Sequence, residues 1–161
     1  MDNAAPPHAA LVQRFYAAFD ARDAEAMAAC YHPDVVFSDP VFGELRGERA
    51  RDMWRMLVAR GRDLHVSVEA IEADEARGSA RWTATYTFGK ARRSVRNVID
   101  ARFAFRDGLI VRHDDSFSLW RWARMALGPA GALLGWTPML RRRVRADAHR
   151  GLDAFVASRS K

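Results

Sequence analysis

From residue 64 to residue 117 apolar and polar side chains alternate with a period of two. That period predicts β-strands with one face turned inward. Leu64, Val66, Val68 and Ala70 alternate with His65, Ser67 and Glu69. Ala80, Trp82, Ala84, Tyr86 and Phe88 alternate with Arg81, Thr83, Thr85 and Thr87. Val95, Asn97, Ile99, Ala101, Phe103 and Phe105 alternate with Ser94, Arg96, Val98, Asp100, Arg102 and Ala104. In the last strand Val111, His113, Asp115 and Phe117 point one way, and Ile110, Arg112, Asp114 and Ser116 the other. Turns fall at Asp74-Glu75, Phe88-Gly89-Lys90 and Asp107-Gly108. Four strands joined this way predict an antiparallel meander with one apolar face.

Upstream the period is helical. Leu11, Val12, Phe15, Tyr16 and Phe19 predict an amphipathic helix over 8–21, after a short leader, residues 1–7, ended by Pro6-Pro7. A second short helix, 24–31, has Asp23 as its N-cap and is stopped by His32-Pro33-Asp34. Val35 to Asp39 reads as a short strand ended by Pro40. A third helix, 48–61, carries Met53, Trp54, Leu57 and Val58 as its stripe and Gly61 as its C-cap. Helices followed by a long antiparallel sheet indicate an α+β domain. A curved sheet wrapped on those helices leaves a cone whose mouth is a small-molecule pocket.

The last forty residues break the pattern. Trp120 to Leu127 reads as a short helix, broken by Gly128-Pro129-Ala130-Gly131. Thr137 and Pro138 open a final helix to about Ser158, with an apolar stripe through Leu140, Val144, Ala148 and Leu152. The expected organisation is a domain over 8–119 and a helical extension over 120–161.

Composition narrows the function classes. The 161 residues are 49% hydrophobic and 29% charged, so the chain builds a core and is not a disordered polymer. The net charge of +6 rests almost wholly on arginine, since Lys90 and Lys161 are the only lysines. No nucleic-acid-binding motif accompanies that charge, and specific nucleic-acid binding is not expected. The run Arg141-Arg142-Arg143-Val144-Arg145 reads as a solvated helix face, with a membrane-surface role as its alternative. Cys30 is the one cysteine; it excludes an intrachain disulfide and a cysteine zinc site. With no signal-peptide pattern at the N-terminus, it fits a reducing cytoplasm. No window approaches the roughly 18 apolar residues of a transmembrane helix.

The candidate chemistry sits on the last strand. His113 and Asp115 lie about 7 Å apart on one strand face, between apolar neighbours. Lining a pocket, they form acid/base equipment. Buried, they satisfy neighbouring backbone or tryptophan N–H groups. Asp39, beside Pro40, is either a base raised by an apolar cavity or a turn-forming cap of backbone amides. Asn97 faces inward and offers a hydrogen bond to a substrate oxygen or to the core. Among the aromatic positions, Tyr16 and Trp54 are expected at the pocket, with Phe103 beside them. His113, Asp115 and Asp39 could supply metal ligands, but the expectation is no metal and no cofactor.

Several segments carry a family resemblance. They are Leu11-Val12-Gln13-Arg14-Phe15-Tyr16-Ala17-Ala18-Phe19-Asp20-Ala21-Arg22-Asp23, Tyr31-His32-Pro33-Asp34-Val35-Val36-Phe37-Ser38-Asp39-Pro40, Leu45-Arg46-Gly47, and Phe103-Ala104-Phe105-Arg106-Asp107-Gly108-Leu109-Ile110. Over residues 8–119 the chain resembles the SnoaL-like, ketosteroid-isomerase-like branch of the NTF2-like superfamily. The resemblance implies a cone-shaped fold, a hydrophobic ligand and a homodimer formed through the sheet. Asp39 matches the general base of the steroid isomerases. Their oxyanion-hole tyrosine falls on Phe15, which has no hydroxyl, and Tyr16 lies about 100° further round the helix. Their strand aspartate falls on Ala101, while Asp100 shares the outer face with Arg96 and Arg102. Asp115 matches an acid/base aspartate of limonene-epoxide hydrolases, whose Arg and Asp partners have no counterpart in 81–87. SnoaL-type cyclases use an acid and a histidine, which His113 and Asp115 resemble.

The expected function is proton transfer, as isomerisation or hydration/hydrolysis, on a small apolar carbonyl- or epoxide-type substrate. Asp39 is the expected base and His113 and Asp115 are its partners, with Asn97 or Tyr16 polarising an oxygen. A non-catalytic carrier of a hydrophobic molecule is the alternative, and an interaction module a third class.

Overall fold

The computed structural model describes residues 6–161. Of the expected leader, residues 1–5 lie outside the described residues. Pro7 already opens helix α1 (Pro7–Asp20), where a first-turn proline has no intrahelical bond to lose. The predicted stripe Leu11, Val12, Phe15, Tyr16 and Phe19 is buried throughout. Helix α2 (Ala24–Ala29) is capped by the Asp23 carboxylate, which accepts from the Ala26 amide at 3.0 Å. Then come β1 (Tyr31–Asp39), β2 (Gly43–Arg46), α3 (Glu48–Arg60), β3 (His65–Ala73), β4 (Arg77–Phe88), β5 (Arg93–Arg106) and β6 (Leu109–Ser116). Helices α4 (Leu119–Leu127), α5 (Pro129–Leu134) and α6 (Pro138–Arg159) complete the chain.

The six strands form one open sheet in the order β2-β1-β6-β5-β4-β3. The meander from β3 to β6 is antiparallel, as the alternation predicts. Strand β1 runs parallel to β6, so the sheet is mixed rather than purely antiparallel. Its inner face packs on α1 and α3 around the main core. The outer face exposes Arg81, Arg96, Val98, Asp100 and Arg102, with Arg81 bonded to Asp100 at 2.9 Å.

Tertiary packing corrects three local readings and adds one strand. Tyr31 belongs to β1, not to the preceding helix, because its side chain is drawn into the core. Strand β2 closes a hairpin on β1 that the sequence pattern does not announce. At Ala70 the register of β3 slips, the backbone takes φ +54°, and the alternation inverts. Ala70 is therefore exposed while Ile71 packs on the core. In β6 the register passes from Arg112 opposite Ala104 to Ile110 opposite Phe105, leaving Val111 as the extra residue of a bulge. Ile110, expected outside, is fully buried as a result.

The C-terminal helices pack on the domain. The break predicted over 128–131 is confined to Gly128, at φ +68°, and α5 restarts at Pro129. A second apolar cluster joins Val95 of β5 to Leu119, Trp122, Ala123 and Ala126 of α4. Thr137 caps α6, accepting from the Leu140 amide at 3.2 Å. Helix α6 is tied to α3 by Arg49–Asp153 at 2.8 Å and Arg159–Asp52 at 2.9 Å. His149 donates to the Phe42 carbonyl at 2.7 Å and accepts from Arg49 at 3.0 Å. Among the described residues no helix is long and apolar enough to cross a membrane.

Candidate active site

A cavity of about 660 Å³ opens between the inner face of the sheet, α3, and the inner sides of α4 and α6. Phe37, Met53, Trp54, Leu57, Ile99 and Phe117 supply much of its apolar wall. Asp39, Asn97 and Asp115 bring polar groups into that wall from β1, β5 and β6. Three separate strands thus deliver three polar side chains to one apolar space.

Asp39 caps a turn and borders the cavity at once. Its Oδ1 accepts from the amides of Val41 at 2.9 Å and Phe42 at 2.6 Å, fixing the turn into β2. Its Oδ2 makes no hydrogen bond among the described residues. Burial pushes the carboxyl from its ordinary 3.8 to about 7. The two amides oppose that rise, the charge of Asp115 adds to it, and His113 works against it.

Behind the cavity wall runs a directed chain of hydrogen bonds. Trp54 Nε1–H donates to Tyr31 Oη at 2.8 Å. The Tyr31 hydroxyl lies 2.8 Å from His113 Nδ1, and His113 Nε2 lies 2.9 Å from Asp115 Oδ1. An indole N–H can only donate, so Tyr31 accepts there and directs its own proton to His113 Nδ1. That logic assigns the His113 proton to Nε2, donating to Asp115. Trp82 Nε1–H donates to the same Oδ1 at 3.2 Å. His113 is 0% exposed and does not border the cavity; its ring touches Asp115, which does. Both its ring nitrogens are engaged, which leaves neither for a metal. Asp115 borders the cavity at 7% exposure, and its Oδ2 makes no hydrogen bond among the described residues.

Asn97 is also 7% exposed, borders the cavity, and its amide has no hydrogen-bond partner among the described residues. Asn97 lies opposite Ala84 across the β4–β5 ladder, which makes Tyr86 its diagonal neighbour on the inner face. Tyr86 also borders the cavity, and its Oη accepts from Trp122 Nε1 of α4 at 2.8 Å. Its proton remains free to donate. Burial raises the Tyr86 pKa and nearby Asp39 adds to the rise, while the Trp122 bond opposes it.

The expected contact residues therefore divide. Trp54 and Asn97 border the cavity; Tyr16 and Phe103 are buried and do not. Tyr16 Oη is buried without a partner among the described residues. Burial first, and then the Asp115 charge, hold its pKa well above that of a free tyrosine. An unsatisfied buried hydroxyl costs about 1–3 kcal/mol. Tyr16→Phe is therefore expected to raise the melting temperature by roughly 2–10 °C for a chain of this size, read by calorimetry. A lower melting temperature in that variant would show that the hydroxyl is satisfied.

Sequence reasoning did not single out Tyr31, Trp82, Tyr86 or Trp122 as site residues. The available signal was tryptophan on an inward strand face, since a buried indole N–H needs an acceptor. Among the described residues no group of three or more His, Cys, Asp or Glu is placed to hold a metal ion.

Residues 12–113 match the model of the SnoaL-like domain. No curated protein matches the chain in sequence. Solved structures share its fold. A hypothetical protein from Catenulispora acidiphila with a ketosteroid isomerase-like fold, in complex with trimethylamine, matches with a TM-score of 0.66 and 18% identity. That match covers 80% of this chain and 97% of the other. A Mycobacterium tuberculosis LEH-like epoxide hydrolase matches with a TM-score of 0.62 and 24% identity, covering 80% and 95%. TerC, co-crystallised with polyporic acid, matches with a TM-score of 0.59 and 20% identity, covering 69% and 91%. With its open, curved sheet closed by helices and a family match over most of its length, the chain belongs to the SnoaL-like family of the NTF2-like superfamily.

Proposed function

We propose that the protein is a cofactor-independent enzyme that moves a proton on a small apolar carbonyl compound. One observation carries the reading: Asp39, Asp115 and Asn97 border a single apolar cavity, each with polar atoms not committed to the protein. Asp39 removes a proton from the carbon next to the carbonyl. The electron pair moves onto the carbonyl oxygen, and protonated Asp39 gives the proton back to the enolate, at the same carbon or, where a double bond in the substrate extends the enolate to a dienolate, at its γ-carbon. A base titrating at about 7 suits this work at neutral pH. Asn97 N–H and Tyr86 O–H are the donors that stabilise the developing oxyanion. Asp115 is the second acid/base group, and His113 positions it. Relatives described as an LEH-like epoxide hydrolase and as a ketosteroid isomerase-like fold are in keeping with a small-molecule enzyme.

A second reading is a carrier of a hydrophobic molecule. It is favoured by the Oδ1 atoms of Asp39 and Asp115, each already accepting two hydrogen bonds. The two readings separate in D2O. Apolar ketones are incubated with the protein, and deuterium incorporation beside the carbonyl is followed by mass spectrometry. Exchange by the unmodified protein, slowed roughly 10²–10⁴-fold in Asp39→Asn, supports the enzyme. Ketones retained by the protein without exchange support the carrier.

A further inference from the structure

The strongest unexplained feature is the outer surface of the C-terminal helices. From Ser116 to Ala146 the chain holds six arginines, Arg121, Arg124, Arg141, Arg142, Arg143 and Arg145, with no aspartate or glutamate. All six are exposed. The same stretch holds five of the six exposed large hydrophobic residues identified among the described residues. Leu133 is 72% exposed, Trp136 69% and Met139 64%, with Leu134 and Trp120 beside them in sequence and space. Clustering of this kind is not what scattered surface hydrophobics produce.

The platform that carries these residues is tightly built. Gly131 of α5 packs so closely on the Ala123 carbonyl of α4 that any side chain there would collide. Trp120 Nε1–H donates to the Ala132 carbonyl at 3.0 Å, and Arg124 stacks over the Trp120 ring at 4.9 Å. Trp120, Trp136, Arg141 and Arg145 border one shallow cleft. Two exposed tryptophans and two guanidinium groups therefore share one cleft.

We propose that this face docks on a bilayer surface containing anionic lipids. Tryptophan, leucine and methionine insert at the level of the headgroups, and the arginines meet the lipid phosphates. Charge selects this occupant. A second copy would set the arginines of this cleft against their own copies, and a nucleic acid would leave Leu133, Trp136 and Met139 without an apolar partner. The inner sides of the same helices, at Leu127, Leu140 and Val144, border the cavity. A hydrophobic ligand dissolved in the bilayer thus has a short route to the site. The docking inference stands on the surface alone and does not depend on catalysis.

The full chain is tested by co-sedimentation with phosphatidylcholine vesicles, with and without phosphatidylglycerol. Binding is expected to the phosphatidylglycerol vesicles, to weaken with added salt, and to shift tryptophan fluorescence to the blue. Arg141→Ala with Arg145→Ala should lower the partition coefficient by about 30-fold. Leu133→Ser with Trp136→Ser should lower it by about tenfold or more while leaving the fold intact, because both side chains are exposed. Equal binding to both kinds of vesicle, binding that survives both variants, or capture of a soluble polyanion without a blue shift would each overturn the inference.

Discussion

Asp39→Asn is expected to make the protein more stable at neutral and alkaline pH, by up to about 4 kcal/mol, while it loses proton-transfer activity. The carboxyl titrates at 3.8 in its ordinary state and at about 7 in the fold. Between those values the folded state holds a proton that the unfolded state has released. Stability therefore falls as pH rises through that window. Below about pH 4 both states are protonated and the residue contributes no penalty. Above about pH 7 the folded protein carries the full cost of ionising this half-buried carboxyl. Asparagine keeps an oxygen for the Val41 and Phe42 amides and carries no charge. Urea unfolding across the pH range should give a difference between variant and parent that is small in acid and grows to its maximum near pH 8. A difference that does not change with pH would sink the assignment, because the missing charge is the only pH-dependent part of the substitution.

His113→Leu is expected to destabilise the protein by roughly 2–5 kcal/mol, or a fall on the order of 10 °C in melting temperature. The leucine fills much of the space but offers no nitrogen. The Tyr31 hydroxyl loses its acceptor and Asp115 loses one of its two donors. Adding Tyr31→Phe removes the stranded hydroxyl but also takes the acceptor from Trp54 Nε1–H, so the double variant should cost less than the sum of the two single changes. A coupling of about 0.5–3 kcal/mol between the two sites is expected in the double-mutant cycle. Strict additivity would mean that the two side chains do not share the hydrogen bond described here.

Much of this arrangement was legible in the sequence because it is periodic. Alternation placed Trp82 and Asn97 inward, alternation together with the family resemblance placed His113 and Asp115 on the same face, and local capping chemistry placed Asp23 and Thr137 at helix starts. The Ser38-Asp39-Pro40 motif drew attention to Asp39. What escaped was decided by contacts far apart in the chain. Tyr31 follows an alanine-rich helix and reads as its last residue, yet its hydroxyl meets His113, 82 positions on. The inversions at Ala70 and Ile110 each come from a register slip, which changes no residue type and so leaves no mark on composition. Tyr86 looked like one more aromatic in a stripe. Its role depends on Trp122, which lies beyond the matched residues 12–113.

The parallel pairing of β1 with β6 also bears on how the protein is made. Phe37 has its ladder partner at His113, and Ser38 at Asp114, to whose carboxylate its hydroxyl donates at 2.6 Å. Strands β3 to β6 can zip through short turns, whereas β1 must close a loop of nearly eighty residues before any of its parallel bonds form. During synthesis β1 emerges with only its β2 hairpin as a partner, and its other edge stays open until residues beyond 112 leave the ribosome. Asp39 and Asp115 can therefore come together only once that loop has closed, and until then the free edge of β1 is an open template for pairing with another chain.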